Sequence, residues 1–416
     1  MTDLLADVQS WTSWSPRPAL APAFGLEEQG GPSGGPVLVV CATGDPQICG
    51  CWQVPLLGLA PGRRYWVEAA FKAEDLPAPG RSVRAVLANM KGVGEEGGFY
   101  DHLDAQGSED GWVRLGQVLD VPDVVPKLRL CLFLAWTPTG RVRWSSVRLR
   151  DITDEPACER NVHLAAISGG VDLAGYLGQL DKLGAKGADL VCLSETIDPE
   201  DAPIPGGKWY EAFAARAKRH GMYVAVSLRE QDGELRYNTG VLIDRQGALL
   251  GKYRKTHLAP GEGILSGRTP GDTYPVFQTD FGKVAFLICY DLHFPEPARI
   301  YALKGVDVLL NPNAGDGREK GGLWESVVRV RAVDNQVHLL ASIRNRRNSC
   351  VVSPKGEILS MADGSPGAIA EAVCDLNARA SNFTGRPIRQ RYDVWRRADT
   401  YGPLLGHCLD AAPDAD

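Results

Sequence analysis

The chain has 416 residues, of which 44% are hydrophobic and 23% charged, and it carries a formal net charge of −6. That balance is ordinary for a soluble globular protein with room for two domains. No basic run suggests nucleic acid as a partner, there is no acidic tail, and no apolar stretch reaches membrane-spanning length.

The opening segment, MTDLLADVQSWTSWSP, lacks the charged start and apolar middle of a signal peptide, so a cytoplasmic location is expected. None of the ten cysteines forms a C-x-x-C pair, and Cys131, Cys192 and Cys374 fall within apolar runs. Buried, reduced thiols are therefore expected for most of them. The CGC at 49–51 leaves a metal or redox pair open, but no His or Cys spacing elsewhere matches it.

Residues 1–155 read as all-β. Seven of the ten tryptophans fall in the first 150 positions, and long helical periodicity is missing there. RRYWVEAAF alternates Tyr65, Val67, Ala69 and Phe71, and LRLCLFLAW puts Leu128, Leu130, Leu132, Leu134 and Trp136 on one face. In RVRWSSVRLRD, Val142 and Trp144 share a phase while Val147 and Leu149 take the other, which predicts a β-bulge between them. Turn signals such as LAPGRR, PAPG and TPTG separate the runs, so a β-sandwich is predicted, and it resembles jelly-roll, galactose-binding-like modules. Its tryptophans suit either core packing or stacking on a carbohydrate ligand.

The polar, Pro-containing RDITDEPACER marks a boundary, after which strands alternate with helices over 156–376. NVHLAAIS and ADLVCLSE read as buried strands, and VDLAGYLGQLDKLGAKG and KWYEAFAARAKRHG as helices, the latter stopped at Gly221. MYVAVSLRE, YNTGVLIDRQG, VAFLICY, VDVLLNPN, HLLASI and SCVVSPKGEIL follow as strands, with helices at about 295–304 and 322–336. The stretch 377–416 reads as a C-terminal arm that packs on a neighbour.

One stretch poses a chemical question. In VAFLICYDLHFPEPARI an apolar strand ends on Cys289, and a helix opens at Pro295 and Glu296. This sets a thiol at the carboxyl edge of a sheet, where ligand sites in open α/β sheets lie. Glu195 ends the apolar ADLVCLSE, and a carboxylate there needs water or partners. Lys255 stands in GKYRKTHLAPGEG just before an apparent loop.

In this order the three motifs, A-D-L-V-x-L-x-E, Y-R-K-x-H-L and C-Y-D-x-x-F-P-E, resemble the nitrilase, or carbon–nitrogen hydrolase, superfamily. The resemblance covers about 157–376. It implies an αββα four-layer sandwich, a catalytic Glu195, Lys255 and Cys289, and a second carboxylate at Glu262 that orients lysine and substrate. It also implies a homo-oligomer, with neither metal nor organic cofactor.

The chemistry agrees. An ordinary thiol attacks poorly at neutral pH without a base or cation beside it. Glu195 would take its proton, Lys255 and the Tyr290 N–H would hold the developing oxyanion, and a thioester on Cys289 would then be hydrolysed. Tyr290, His293 and Asn313 are the expected substrate-binding residues. A Cys–His design using His293 or His257 is the competing arrangement.

True nitrilases usually carry Trp-Glu after the nucleophile. Here Tyr290-Asp291 is more similar to amidase branches, so a small-molecule amide is the expected substrate, with a carbamoyl compound or nitrile as alternatives. Asp334 stands where the family commonly has Glu, the first strand reads AAIS where a Gln is common, and simpler members lack the N-terminal sandwich. The non-enzyme alternative is a carbohydrate-binding or scaffold protein with an inactive hydrolase domain.

Overall fold

Alternating apolar residues in the first 155 positions build two antiparallel sheets in the computed structural model, which describes residues 2–89, 98–125, 127–156, 159–315, 323–345, 348–378 and 395–405. The chain divides into two compact units: Met1–Ala157 with Asn382–Asp416, and Cys158–Ser381. Of the expected C-terminal arm, 379–394 and 406–416 lie outside the described residues.

In the first unit the larger sheet runs Ala23–Glu27, Val37–Cys41, Arg141–Asp151, Arg64–Glu74, Trp112–Asp120, Asp104–Glu109, with Thr2–Asp3 pairing on Arg141–Asp151. The smaller runs Thr12–Trp14, Cys49–Pro55, Leu128–Ala135, Val83–Asn89, Gly98–His102. The alternation decides which side chains meet between them. Tyr65, Val67, Ala69 and Phe71 share one core with Leu128, Leu130, Leu132, Leu134, Trp144 and Val147.

The phase slip at Ser145-Ser146 is a bulge: register shifts between Ser145 and Arg148, and Ser146 has φ of 51°. Trp136 departs from expectation. The strand ends at Ala135, and Trp136 takes a left-handed φ of 58°, which turns its side chain off the strand's alternation and leaves it 37% exposed.

The second unit holds two six-stranded sheets between two pairs of helices. One sheet runs Leu249–Arg254, Leu235–Ile243, Tyr223–Asp232, Leu190–Cys192, Asn161–Ile167, Ile369–Asp375; the other runs Phe277–Gln278, Lys283–Phe286, Val308–Asn313, His338–Ile343, Cys350–Val352, Ile358–Met361. Each has three parallel strands at its centre. The layers follow from three apolar clusters. Helices Leu173–Ala185 and Lys208–His220 cover the first sheet, the two sheets pack on each other, and Pro295–Leu303 and Leu323–Asn335 cover the second. Trp209 and Trp324 pack against the two helix-bearing clusters. Among the described residues no helix is long and apolar enough to cross a membrane.

Serine hydroxyls tie the two sheets together. Ser168 Oγ lies 2.8 Å from Ser349 Oγ, Ser194 Oγ lies 3.0 Å from Ser342 Oγ, and Ser342 donates to the Ile167 carbonyl at 2.6 Å. The sheets also approach closely at Gly240, where an added Cβ would stand 2.8 Å from the Phe286 ring of the opposite sheet. Gly240→Val is therefore expected to destabilise the protein by about 1–3 kcal/mol through overpacking. An unchanged thermal midpoint would show that the sheets separate freely there.

Candidate active site

Strand ends bring the site together. Glu195 follows Leu190–Cys192, Lys255 follows Leu249–Arg254, Cys289 follows Lys283–Phe286, and Ala314 follows Val308–Asn313. The first two belong to one sheet and the last two to the other. The strand before Cys289 is shorter than expected, because the chain leaves the ladder at Phe286 and Cys289 opens a single helical turn, Cys289–His293.

Cys289 and Thr196, the residue after Glu195, take left-handed φ values of 44° and 43°. For side chains other than Gly and Asn this is sparsely populated backbone, which persists where the surroundings over-determine it.

Lys255 is wholly enclosed: its side chain is 0% exposed, and that of Glu195 4%. A buried ammonium needs partners. Lys255 Nζ donates to Glu195 Oε1 at 2.9 Å and to Glu262 Oε2 at 2.5 Å. Burial alone would push its pKa down, but the negative charge of Glu195 and Glu262 carries it above the usual lysine range. Glu262 sits in the turn Gly261–Leu265; against burial, Lys255 and donors from Asn238 and Ala259 hold its carboxyl below the usual range.

The Cys289 thiol meets Glu195, Lys255 and the Ala314 amide. Burial, then the neighbouring Glu195 charge, pushes its pKa up, and Lys255 offsets this only in part. At rest the cluster therefore holds a neutral thiol, one cation and two carboxylates. Ionising the thiol as well would put a third negative charge around one lysine, unless its proton moves to a neighbour. Glu195 is placed to receive it.

Two contributors to this geometry carry no motif. Asn238, fully buried in Leu235–Ile243, donates through Nδ2 to Glu195 Oε1 and to Glu262 Oε1, both at 2.7 Å, and its Oδ1 accepts from Ser227 Oγ at 2.6 Å. The Ala314 N–H donates to Glu195 Oε2 at 2.7 Å. Asn238 had a signal in the sequence, since an amide in the apolar run YNTGVLI demands buried partners. Ala314 acts through its backbone and had none. Asn238→Leu leaves both carboxylates short of a donor, at about 1–3 kcal/mol for each unmet buried group. A fall in kcat of about tenfold to a hundredfold is expected, and unchanged kcat would show that Lys255 alone sets the carboxylates.

Among the other expected residues, Tyr290 is half-buried with its ring beside His293 and Phe294, while His293 is exposed. Asn313 is 1% exposed and points into the fold. Its Oδ1 accepts the Gly315 N–H at 2.7 Å, which shapes the turn that presents Ala314. The end of the NPNAGDG stretch, 316–317, lies outside the described residues. Asp291 is fully buried and accepts from the Ile288 N–H, Tyr253 hydroxyl and His257 N–H at 2.8–2.9 Å, so it braces the turn. His257 Nδ1 lies 3.0 Å from Asp291 Oδ1, with its ring stacked on Phe294. The groups around the thiol are thus carboxylate, ammonium and amide, and His257 is engaged with Asp291.

The family model described as "Carbon-nitrogen hydrolase" matches residues 164–381. The chain is 35% identical over 241 residues to omega-amidase NIT2-A of Xenopus laevis, covering 52% of this chain and 86% of that protein. It is 32% identical over 228 residues to N-carbamoylputrescine amidase of Solanum lycopersicum, covering 49% and 75%. The crystal structure of a carbon–nitrogen hydrolase from Helicobacter pylori G27 matches with a TM-score of 0.50 at 25% identity, covering 60% of this chain and 99% of that one.

Proposed function

Because the chain belongs to the carbon–nitrogen hydrolase family, in its amidase-like branch, we propose that it hydrolyses a small-molecule amide to the acid and ammonia through a thioester on Cys289. The observation that carries this reading is the enclosed cluster in which one carboxylate, Glu195, meets both the thiol and the buried ammonium.

The steps follow from the charges. Glu195 accepts the thiol proton as sulfur attacks the amide carbon, so no extra negative charge builds up beside Lys255. The carbonyl electrons move onto oxygen, where Lys255 and the Tyr290 N–H are the proposed donors; such preorganised donors act strongly in a dry site. Glu195 returns the proton to the amide nitrogen, the C–N bond breaks, and ammonia leaves. Glu195 then takes a proton from water, hydroxide adds to the thioester, and as the tetrahedral intermediate collapses Glu195 returns the proton to the departing sulfur, which releases the acid and restores the thiol. Glu262 holds Lys255 in place throughout.

Relatives named omega-amidases support a terminal amide as the first substrate class to test. The relative named N-carbamoylputrescine amidase supports a carbamoyl compound as the second reading. The chain is proposed to act as a homo-oligomer, as the family resemblance implies.

The test is ammonia release by the wild type and Cys289→Ala over terminal amides, carbamoyl compounds and nitriles. Release from amides that requires Cys289 is expected. Release from carbamoyl compounds alone would replace the substrate class, and no Cys289-dependent release from any of them would favour a binding or scaffold role.

A further inference from the structure

The first unit has a cleft of its own. It lies on the seven-stranded sheet, on the side away from the sandwich core. Strand alternation sorts the side chains. In Arg64–Glu74, the residues Tyr65, Val67, Ala69 and Phe71 enter the core, so Trp66, Glu68, Ala70 and Lys72 face the other way. Register places Arg114 opposite Ala70 and Gly116 opposite Glu68 on the adjoining strand, and Arg148 opposite Glu68 on the other side. The cleft over this face measures about 700 Å³. Small-molecule sites run to about 300–1,000 Å³.

Its central feature is an indole laid across the sheet. A Cβ on Gly116 would stand 2.1 Å from Trp66 Cζ2, so the ring occupies the space that any other residue at 116 would fill. Trp66 Nε1 donates to Glu68 Oε2 at 2.9 Å, and Arg148 donates to Glu68 Oε1 at 3.2 Å. The ring is thus fixed by its edge and by its seat, while Trp66 stays only half-buried. Trp112, 8% exposed, forms a small apolar floor with Val37, Val39 and Ala70.

The charge around this platform narrows the ligand. Among the described lining residues, Lys72, Arg114 and Arg148 are balanced by Glu68, Glu109 and Asp110. A phosphate or carboxylate ligand would meet as many anions as cations. A neutral molecule rich in hydroxyls would meet donors and acceptors around an apolar plate. The C–H face of a pyranose ring packs on the electron-rich face of an indole, while its hydroxyls bond at the rim.

We propose that this face of the N-terminal sheet binds a neutral oligosaccharide, with Trp66 as the stacking platform. Binding is independent of the hydrolytic reading, because it involves no residue of the second unit and is measured without turnover.

The test is isothermal titration calorimetry of the full chain with lactose, cellotriose, xylotriose and mannotriose, with unfolding scans to confirm that each variant is folded. At least one sugar is expected to bind, and Trp66→Ala is expected to weaken it at least about tenfold, as for an aromatic anchor. Trp66→Phe, which keeps a smaller plate, is expected to fall between. Gly116→Val, which unseats the ring, is expected to lose affinity as Trp66→Ala does. No heat from any of the four at millimolar concentration overturns the proposal, as does binding that survives in a folded Trp66→Ala.

Discussion

Glu195→Gln is expected to lower turnover by about 10²–10⁴-fold, the range for loss of a general base, with little change in KM. The substitution is isosteric, but the hydrogen bonds do not survive it. Glu195 Oε1 accepts from Lys255 and Asn238, and Oε2 accepts from the Ala314 amide. A glutamine offers one acceptor and one NH₂, so one of those donors must face an N–H. The variant also cannot take the Cys289 proton, and that thiol's pKa stands above the ordinary range because of burial and the Glu195 charge. Steady-state ammonia release gives the rate, and intact mass under single turnover shows whether an acyl group accumulates on Cys289. Activity within tenfold of wild type would remove Glu195 as the base and revive a histidine in that role.

Lys255→Met is expected to remove activity and also to destabilise the fold by about 3–5 kcal/mol, the cost of breaking a buried pair from one side. Methionine fills the volume, so the loss is electrostatic. Glu195 and Glu262 both lean on this one ammonium and would face each other without it. The sign with pH follows. Glu262 is held below the usual carboxylate range by Lys255, against burial. Without the lysine, burial and the facing carboxylate raise the folded pKa above the unfolded one. The stabilising form is then the protonated one, so stability is present at low pH and lost as pH rises through the folded value. The deficit of the variant, read from urea midpoints, should shrink as pH falls toward the carboxylate range. Glu262→Gln added to Lys255→Met should recover part of it at neutral pH. A deficit that ignores both pH and the second substitution would mean that packing, not charge, is what Lys255 supplies.

What the sequence made legible was the part written in side chains of one period or one motif. Tyr65, Val67, Ala69 and Phe71 announced a core face, and they are in the core. The break at Ser145-Ser146 announced a bulge because the phase of the apolar residues changed there. Glu195 and Cys289 were findable because each is a chemically costly residue at the end of an apolar strand, and Lys255 because it stands in the Y-R-K-x-H-L motif before an apparent loop; the structure brings all three together.

Trp136 was misplaced because periodicity does not encode where a strand stops, and a left-handed residue ends it one position early. The strand Leu249–Arg254 that delivers Lys255 was missed because LLGKYR has neither clean alternation nor an apolar run. The Ala314 amide could not be found from residue types, since every residue but proline carries one. His293, four positions from the thiol, has an exposed side chain.

The serine contacts across the two sheets bear on when the thiol becomes dangerous. Glu195 and Lys255 hang from one sheet, Cys289 and Ala314 from the other, and Ser168–Ser349 and Ser194–Ser342 fix the alignment. A slip of one residue along a strand is about 3.3 Å, more than a hydrogen bond tolerates. A nascent or half-docked chain therefore carries a cysteine with no base beside it. On the proposed mechanism, chemical competence would arrive with layer docking and not before, so the fold would work as its own safety catch.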